Sequence, residues 1–330
     1  MDIIEILASA LRGAFAPEAA VYALAAIGLN VHFGYTGLLN FGQVGFMLVG
    51  AYGLAISVST FGWSMWVGVL VGLLCAAVLA LLLGIPTLRL RGDYLAIVTI
   101  AAAEIMRLVY RAEFANDVTG SVYGLQQFAN PFFELNPIPS GSYGVGRFSY
   151  SDRDLWVMIL GWSLVAVTAL MVYLLVHSPW GRVLKGIRED EDAVRALGKN
   201  VFGYKIQSLL LGGVIGGLAG VMFAIGFQSV QPDTFNPEIT FFLWTVLLMG
   251  GAGRVLGPIV GAWIFWFLLV LMDTSLRQAL SAGYISDNIL SSSDIGPLRF
   301  AVVGLLLMLI MIYRPQGVLG SRREMLLRDR

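Results

Sequence analysis

The sequence predicts an all-α fold, a polytopic membrane bundle of about eight to ten spanning helices. Hydrophobic residues make up 58% of the 330 positions and charged residues only 13%, whereas soluble domains average about 25% charged residues. Apolar runs such as 67–83 and 155–176 approach or exceed the roughly 20 residues that cross a bilayer core. The 39 glycines suit membrane helices, in which small residues let backbones approach closely.

The chain is predicted to form one membrane domain over residues 1–330. Residues 3–12 are either a short amphipathic helix or part of a further span, and 240–250 with 255–272 are either two spans or one broken element. The predicted spans are 18–36, 42–57, 65–84, 94–109, 154–177, 204–226, 240–250, 255–272 and 298–313. They divide into an N-terminal span group (18–109), a single span (154–177) and a C-terminal span group (204–313).

The distribution of lysine and arginine predicts which ends of the spans face the cytoplasm. Fourteen of the 21 basic residues lie on four segments or just beyond one of them, namely in 85–93, 178–203, 251–254 and 314–330 and at Lys205. They fall on one side of the predicted bundle, which we expect to be cytoplasmic. The segments 110–153, 227–239 and 273–297 then lie outside. The side of the N-terminus stays open, because residues 1–17 either cross or do not.

The external segment 110–153 is too long for a simple connection, and loops of this length are often functional. It contains several prolines, glycines and aromatic residues. We expect an ordered external cap; a mobile connector is the alternative.

A charged segment stands between two apolar spans. Residues 181–199 read GRVLKGIREDEDAVRALGK and carry nine charged side chains. Ser178 and Pro179 suit a helix start and Gly198 a helix end. Apolar side chains recur at helical spacing at Val183, Ile187, Val194, Leu197 and Val201. The pattern predicts one short amphipathic helix, supported by a Glu191–Arg195 pair four residues apart.

This amphipathic helix is either a solvated helix at the membrane surface or a docking element for another protein. Its centre, 189–192, consists of four consecutive carboxylates. An anionic cytoplasmic leaflet would repel them. The electrostatics therefore favour docking to a protein.

Several motifs resemble the LivM-type permease of branched-chain amino-acid ABC importers. The cytoplasmic coupling segment of that family is similar to GRVLKGIREDEDAVRALGKNVFGYK in this chain. The early broken-helix motif of the family is similar to LNVHFGYTGLLNFGQVGFMLVGAY. LRGDYLAIVTIAAAEIMRLV and the tail YRPQGVLG also match in character, so the resemblance spans about residues 20–320. It implies a cytoplasmic coupling segment over 178–203 and a cytoplasmic tail over 314–330.

The resemblance also implies partners and a location. The chain would sit as a multi-pass protein in the plasma (inner) membrane of a bacterium or archaeon. It would pair with a second, LivH-like permease, two ATPase subunits that bind ATP and Mg, and an extracytoplasmic substrate-binding protein. The substrate would be a branched-chain amino acid; urea, short amides and other amino acids are alternatives. Contacts with the ATPase would involve Gly181, Lys185, Arg188, Glu189, Asp190, Glu191, Asp192, Arg195 and Gly198.

Polar residues lie within the first two spans at Asn30, His32, Asn40 and Gln43. Lipid cannot satisfy polar groups at membrane depth, so they face protein or a water-filled path. They form either part of a translocation pathway or hydrogen bonds across a tight helix crossing, and both interpretations fit the pattern equally. Glu104 and Arg107, three residues apart on one helix face, form either a structural ion pair or a further part of the pathway.

Two series of glycines spaced by four predict closely packed helix faces. They serve either the fold of this chain or its contact with a second permease. The residues are Gly212, Gly216 and Gly220 in one series and Gly253, Gly257 and Gly261 in the other.

The sequence predicts a transporter subunit and no catalytic, metal or cofactor site. The chain has two histidines, His32 and His177, one cysteine, and no G-x-x-x-x-G-K-[ST] phosphate loop. ATP is therefore expected to be hydrolysed on a partner chain. A net charge of zero implies no nucleic-acid partner. The alternatives are a self-sufficient ion-coupled secondary transporter or channel, using Glu104, Asp273 or His32, and a membrane enzyme.

Overall fold

The computed structural model describes residues 3–88, 92–145, 148–282, 295–314 and 316–320, and it confirms the all-α polytopic class. Positions 315 and 321–330 of the predicted tail lie outside the described residues. The α-helices are α1 Ile3–Phe15, α2 Pro17–Asn30, α3 Gln43–Ser59, α4 Met65–Thr87, α5 Gly92–Arg111, α6 Asn116–Thr119, α7 Asn130–Glu134, α8 Asp152–His177, α9 Pro179–Glu189, α10 Glu191–Ala196, α11 Val201–Phe227, α12 Pro237–Gly250, α13 Gly257–Ser281 and α14 Ile295–Tyr313.

Four described helices are long and apolar enough to cross a membrane, namely α4, α8, α11 and α13. A fifth crossing results if α1 and the helical run Pro17–Tyr35 are counted as one span bent by 44°. The apolar helices α3 and α12 have 17 and 14 residues, which is short of a full crossing. The predicted total of eight to ten spans also counts these shorter helices and the predicted spans 94–109 and 298–313, which correspond to α5 and α14.

The region around residues 3–12 forms α1, which packs along α13. The side chain of Val270 fills the space beside Gly13, and Gln278 Nε2 donates to Glu5 Oε2 at 3.3 Å. Of the two alternatives predicted for this region, the arrangement as part of a bent span therefore fits the described geometry. The segments 240–250 and 255–272 form two separate helices, α12 and α13, joined by residues 251–256.

The break in the first apolar region lies between α2 and α3. After α2 the backbone continues as a π-helix over Val31–Tyr35 and then leaves helical conformation until Gln43. Gly37 has a φ of +75°, a left-handed conformation that favours glycine. The predicted broken helix is thus present.

The external segment folds into short elements. Strand β1 (Leu125–Gln126) pairs antiparallel with β4 (Ser229–Val230), and β2 (Ser142–Val145) pairs with β3 (Phe148–Ser151). Two 3₁₀ turns, Glu113–Ala115 and Pro232–Phe235, accompany them. The β1–β4 pair joins the two loops that the sequence placed on the same side of the bundle. The described part of this segment therefore contains regular secondary structure; an external cap stays a prediction.

The core consists of α2, α3, α11 and α12, whose small side chains let the backbones approach. Most residues of α2 and α3 are buried. In contrast, α4 exposes a row of large apolar side chains, among them Trp66, Leu70 and Leu74. A monomer in water rarely exposes such a continuous face. These outer surfaces suit lipid or a membrane-embedded partner.

Candidate functional site

The coupling segment (residues 178–203) connects α8 to α11 and differs from the single predicted helix. It forms two helices, α9 and α10, that meet at Asp190, which is extended with φ −153° and ψ 101°. The carboxylate of Asp190 accepts a hydrogen bond from the Ala193 amide at 2.9 Å and so caps α10. Gly198 follows the end of α10 with a φ of +75°, which agrees with the predicted helix end.

Helix α9 packs one face against the bundle. Gly181, Leu184 and Ile187 are buried, and Gly181 touches the backbone of Val176 so closely that a Cβ would lie 2.2 Å from its carbonyl oxygen. Leu197, which the helical spacing placed on the apolar face, is instead 78% exposed. The break at Asp190 changes the direction of the second helix, so one continuous helical pattern no longer applies.

The four carboxylates at the centre of the segment each have a local partner. Glu189 pairs with Arg188 at 2.6 Å, and Asp192 pairs with Arg195 at 2.8 Å. Glu191 accepts from Arg195 at 2.9 Å, which is the predicted pair, and also pairs with Lys205. Together with the capping role of Asp190, these bonds fix the acidic centre in one arrangement. The exposed surface of the segment carries Lys185, Glu189, Asp192, Arg195 and Leu197.

Arg188 connects the coupling segment to the broken helix. Its Nη1 donates to the carbonyl oxygen of Gly34 at 2.6 Å while Nη2 binds Glu189. A Cβ at Gly37 would lie 3.2 Å from Arg188 Cγ, and a Cβ at Gly253 would lie 3.1 Å from Nη1. The two glycines therefore leave the space that the arginine occupies. A cation at carbonyls near the end of a helical run is also favoured by the helix dipole.

Asn30 links the broken helix to the loop between α12 and α13. Its Nδ2 donates to the Arg254 carbonyl at 2.9 Å, and its Oδ1 accepts from the Gly253 amide at 2.8 Å. Gly34 lies beside the same loop, since a Cβ there would be 2.5 Å from the Gly253 nitrogen. The coupling segment, the helix break and the 251–254 loop thus form one bonded unit.

The other predicted polar residues form a buried network next to this unit. Asn40 Nδ2 donates to Gln43 Oε1 at 2.9 Å and lies 3.0 Å from His32 Nδ1. Gln43 Nε2 reaches the carbonyls of Ala25 at 3.3 Å and Gly212 at 3.2 Å. His32, Asn40 and Gln43 are each 0% exposed. This geometry matches the interpretation as hydrogen bonds across a helix crossing; the translocation pathway stays a prediction.

Sequence reasoning missed several members of the network. Thr36 and Ser208 share a hydrogen bond of 2.6 Å between their hydroxyl groups, Thr99 accepts from the Phe41 amide at 3.1 Å, and Thr240 accepts from the Val44 amide at 3.1 Å. Isolated threonines and serines in apolar segments are common, so spacing gave no signal for them. Only their position opposite the broken helix distinguishes them.

Both glycine series pack within this chain. Gly212 lies against Gly28 and His32, Gly216 against Gln43, and Gly220 against the backbone of Met47. In the second series, Gly257 lies against the Gly251 carbonyl and Gly261 against the Val246 carbonyl, while Gly253 contacts Gly34 and Arg188. These contacts agree with intrachain packing, the default interpretation of such spacing.

The predicted pair of Glu104 and Arg107 is present at the opposite end of the bundle. Arg107 Nη2 lies 2.6 Å from Glu104 Oε1, and its Nη1 lies 2.5 Å from Asp233 of the loop between α11 and α12. Arg111 adds a longer contact of 3.5 Å to the same aspartate. The cluster joins α5 to the 227–239 loop, which favours a structural role for the pair.

Taken together, these features define a transport permease: a polytopic helix bundle with a broken helix at its centre and a charged segment bonded to that break. No group of three or more metal-ligating side chains occurs among the described residues. The chain belongs to the family described as branched-chain amino acid transport system, permease component, whose family model matches residues 13–312. It is thus a subunit of an ABC transporter, as the sequence predicted, and such permeases are embedded in the membrane and work with partner ATPases.

Curated relatives agree with this assignment. The chain is 31% identical over 317 residues to the high-affinity branched-chain amino acid transport system permease protein LivM of Escherichia coli K12, covering 93% of this chain and 69% of the relative. It is 26% identical over 343 residues to a probable branched-chain amino acid transport permease protein LivM of Methanocaldococcus jannaschii, covering 92% and 91%. A nucleoside ABC transporter permease protein, NupC of Lactococcus lactis, is 26% identical over 202 residues, covering 57% and 59%.

Proposed function

We propose that this chain is the permease through which an ATP-driven importer carries branched-chain amino acids across the plasma (inner) membrane of a bacterium or archaeon. The proposal assigns it a LivH-like second permease, two ATPase subunits that hold ATP and Mg, and an extracytoplasmic substrate-binding protein. The substrates in the names of the two LivM relatives support this assignment. The lower-coverage relative from Lactococcus lactis is named as a nucleoside permease, so the class of solute is decided by the uptake experiment.

In this mechanism the coupling segment is the element on which the ATPases act. ATP prefers the closed arrangement of the ATPases and shifts the whole assembly toward one opening of the permease. The exposed side chains Lys185, Asp192, Arg195 and Leu197 form the docking surface. Arginine is enriched among the residues that dominate the binding energy of interfaces, so Arg195 is one expected anchor. Leu197, two residues later, adds an exposed apolar side chain.

The observation that carries the proposal is the bond from Arg188 to Gly34. It is made by the coupling segment to the end of the broken helix, at 2.6 Å, in a space that two glycines keep open. A displacement of α9 therefore acts directly on the helix break. The bonds from Asn30 to the 251–254 loop carry the displacement further, to the junction of α12 and α13.

Arg188→Ala in the assembled transporter should separate ATP hydrolysis from transport. The exposed docking surface remains, so we expect the ATPases to stay bound and to hydrolyse ATP. Uptake of L-leucine into proteoliposomes supplied with the binding protein should fall at least tenfold, because the helix break no longer follows α9. Both rates are measured on the same preparation.

Arg182→Ala is the matched control. Arg182 lies on the same helix and is exposed, so its removal deletes a positive charge without breaking the bond to Gly34. Wild-type uptake in R182A with loss in R188A supports the transmission role. Wild-type uptake in R188A would contradict it.

A further inference from the structure

A cavity of about 770 Å³ opens at the end of the bundle that carries the predicted external loop. It lies between the α1–α2 bend, strand β3, the start of α8 and the end of α11. Its volume is within the range of roughly 300–1,000 Å³ that is usual for small-molecule sites. None of the residues of the coupling site lines it.

The bend of the first span forms one wall of this cavity. Helices α1 and α2 meet at 44°, with Ala16 and Pro17 at the corner. Proline at the first position of α2 has no amide hydrogen to donate. The bend places Arg12, from the end of α1, and Glu18, from the start of α2, on the wall of the same cavity.

Arg12 is held in place by Tyr150 and pairs with no acidic side chain among the described residues. Its guanidinium lies 5.3 Å from the centre of the Tyr150 ring, and the Tyr150 hydroxyl donates to the Arg12 carbonyl at 3.3 Å. Its Nε is buried and makes no hydrogen bond within the described part of the chain. A buried arginine nitrogen without an acceptor is costly. A carboxylate bound in the cavity would pair with the positive charge of the same guanidinium.

Carboxylates without a basic partner line the same cavity. Glu18 and Asp154 both face it, and neither they nor Arg12 take part in any ion pair formed by the described residues. Both acids lie in the first turn of a helix, where the helix dipole favours a negative charge. The dipole explains their position but not the presence of an unpaired arginine in the same cavity.

The remaining wall is largely apolar. Its apolar members are Val21, Val157, Met222, Phe223, Phe227 and Val270, with Phe133 at the loop side. A second basic side chain, Arg153, and the polar residues Ser9, Ser151 and Gln228 complete the wall. The cavity thus combines separate positive and negative groups with an apolar surface. A zwitterion with an apolar side chain has complementary chemistry.

We propose that this cavity is an external vestibule that binds a free α-amino acid with an apolar side chain. Arg12 binds the α-carboxylate, for which its forked geometry is suited, and Glu18 with Asp154 binds the α-ammonium group. The apolar wall contacts the side chain. The proposal deepens the proposed function and rests on it, because it assumes that the imported solute is an amino acid.

The test measures equilibrium binding of radiolabelled L-leucine to the assembled transporter in nanodiscs, without ATP or binding protein. Isoamylamine, which lacks the carboxylate, and 4-methylpentanoate, which lacks the ammonium group, serve as competitors. We expect saturable L-leucine binding, with each competitor at least tenfold weaker. Absence of saturable L-leucine binding would overturn the vestibule.

Two variants test the assigned roles separately. Arg12→Gln should weaken L-leucine binding at least tenfold and leave isoamylamine unchanged. Glu18→Gln should weaken L-leucine binding similarly and leave 4-methylpentanoate unchanged. Glu113→Gln, at an exposed position outside the cavity, is the control and should bind as wild type. Wild-type binding of L-leucine by both cavity variants would overturn the proposal.

Further measurements separate misfolding and a wrong substrate from a wrong vestibule. If R12Q is not monodisperse, Arg12→Lys is tested in its place, because lysine keeps the positive charge. R12K should bind L-leucine within a few-fold of wild type. A tenfold loss of binding in folded R12K would overturn the role of the charge. Normal ATP-dependent L-leucine uptake by R12Q and E18Q would reject the vestibule and leave the proposed function intact. Failure of wild-type uptake would reject both.

Discussion

At the residue scale, the buried network fixes the state of His32. Its Nε2 lies 3.1 Å from the Leu209 carbonyl, which can only accept, so Nε2 carries the hydrogen. Its Nδ1 then accepts from the Asn40 amide. The neutral ring is a fixed link between the broken helix and α11. This geometry favours a structural role for His32 over the ion-coupling role that the alternative of a secondary transporter would give it.

Gln43→Met should destabilise the protein, because methionine cannot make the hydrogen bonds of the amide. Its volume is similar to that of glutamine, so the substitution leaves no large cavity. The Asn40 amide loses an acceptor, and the Gly212 and Ala25 carbonyls lose a donor. A buried polar group left without a partner costs about 1–3 kcal/mol. The midpoint of thermal unfolding in detergent should therefore fall.

Gln126→Met is the control for this substitution. Gln126 is exposed in β1, so the same chemical change removes no buried bond, and its midpoint should match wild type. Equal midpoints for Q43M and wild type would show that the network does not stabilise the fold.

Residue pairs close in sequence were predictable, whereas distant partners were not. The pairs Glu104–Arg107 and Glu191–Arg195 follow from helical spacing. Asp233, which completes the first cluster, is 126 positions from Arg107. No periodicity connects positions so far apart, and only the packing of α5 against the 227–239 loop brings them together.

At the element scale, the coupling segment shows why one predicted helix became two. Both ends of the segment are recognisable in the sequence, because Ser178 and Pro179 are typical of a helix start and Gly198 is typical of a helix end. The break at Asp190 does not stand out, since an aspartate that caps a helix looks the same as an aspartate in a solvated charge run. Its consequence is large, because Leu197 becomes exposed at the proposed docking surface.

Asp190→Ala should loosen α10 while leaving α9 in place. The cap from the Asp190 carboxylate to the Ala193 amide is lost, at a cost of about 1 kcal/mol. We expect weaker association of the ATPases with the permease in a pull-down assay and a proportionate loss of uptake.

Asp190→Asn separates capping from charge. Asparagine caps as well as aspartate and removes the negative charge, so D190N should associate nearly as wild type. Equal defects in D190A and D190N would show instead that the charge of Asp190 contacts the partner directly.

At the scale of the whole molecule, the bundle has two chemically distinct ends. One end brings together the coupling segment, residues 34–37, the 251–254 loop and residues 316–320. The β1–β4 pair and the Arg107–Asp233 bond lie at the other. Eight of the fourteen lysines and arginines in the described ranges belong to the first end or its flanking segments. The distribution of basic residues over the whole sequence predicts that this end is cytoplasmic.

Cysteine labelling tests this sidedness. In a Cys75→Ser background, Asp192→Cys should react with a membrane-impermeant maleimide only after the cells are opened. Glu113→Cys should react in intact cells. Both native side chains are exposed. The permease is expressed without its ATPases, so that the proposed docking surface around position 192 stays uncovered and access to the thiol depends on the side of the membrane. Labelling of position 192 in intact cells would reverse the assigned orientation.

Much of the architecture was predictable because lipid demands long apolar runs. Predicted spans such as 65–84 and 204–226 lie within the observed helices Met65–Thr87 and Val201–Phe227. The cavity beside Arg12 was not predictable. Arg12, Glu18 and Asp154 lie on three elements, and only the 44° bend of the first span brings the first two to a common wall.

The last described residues, 316–320, cover the C-terminal end of α12. The amides of Val318 and Leu319 donate to the carbonyls of Met249 and Gly250 at 2.9 and 3.1 Å, groups that a helix end leaves without an internal partner. A truncation before Gly317 would strip these carbonyls of their donors. A C-terminal affinity tag or reporter fusion therefore belongs after Gly320, behind a flexible spacer, if the purified protein is to retain these hydrogen bonds.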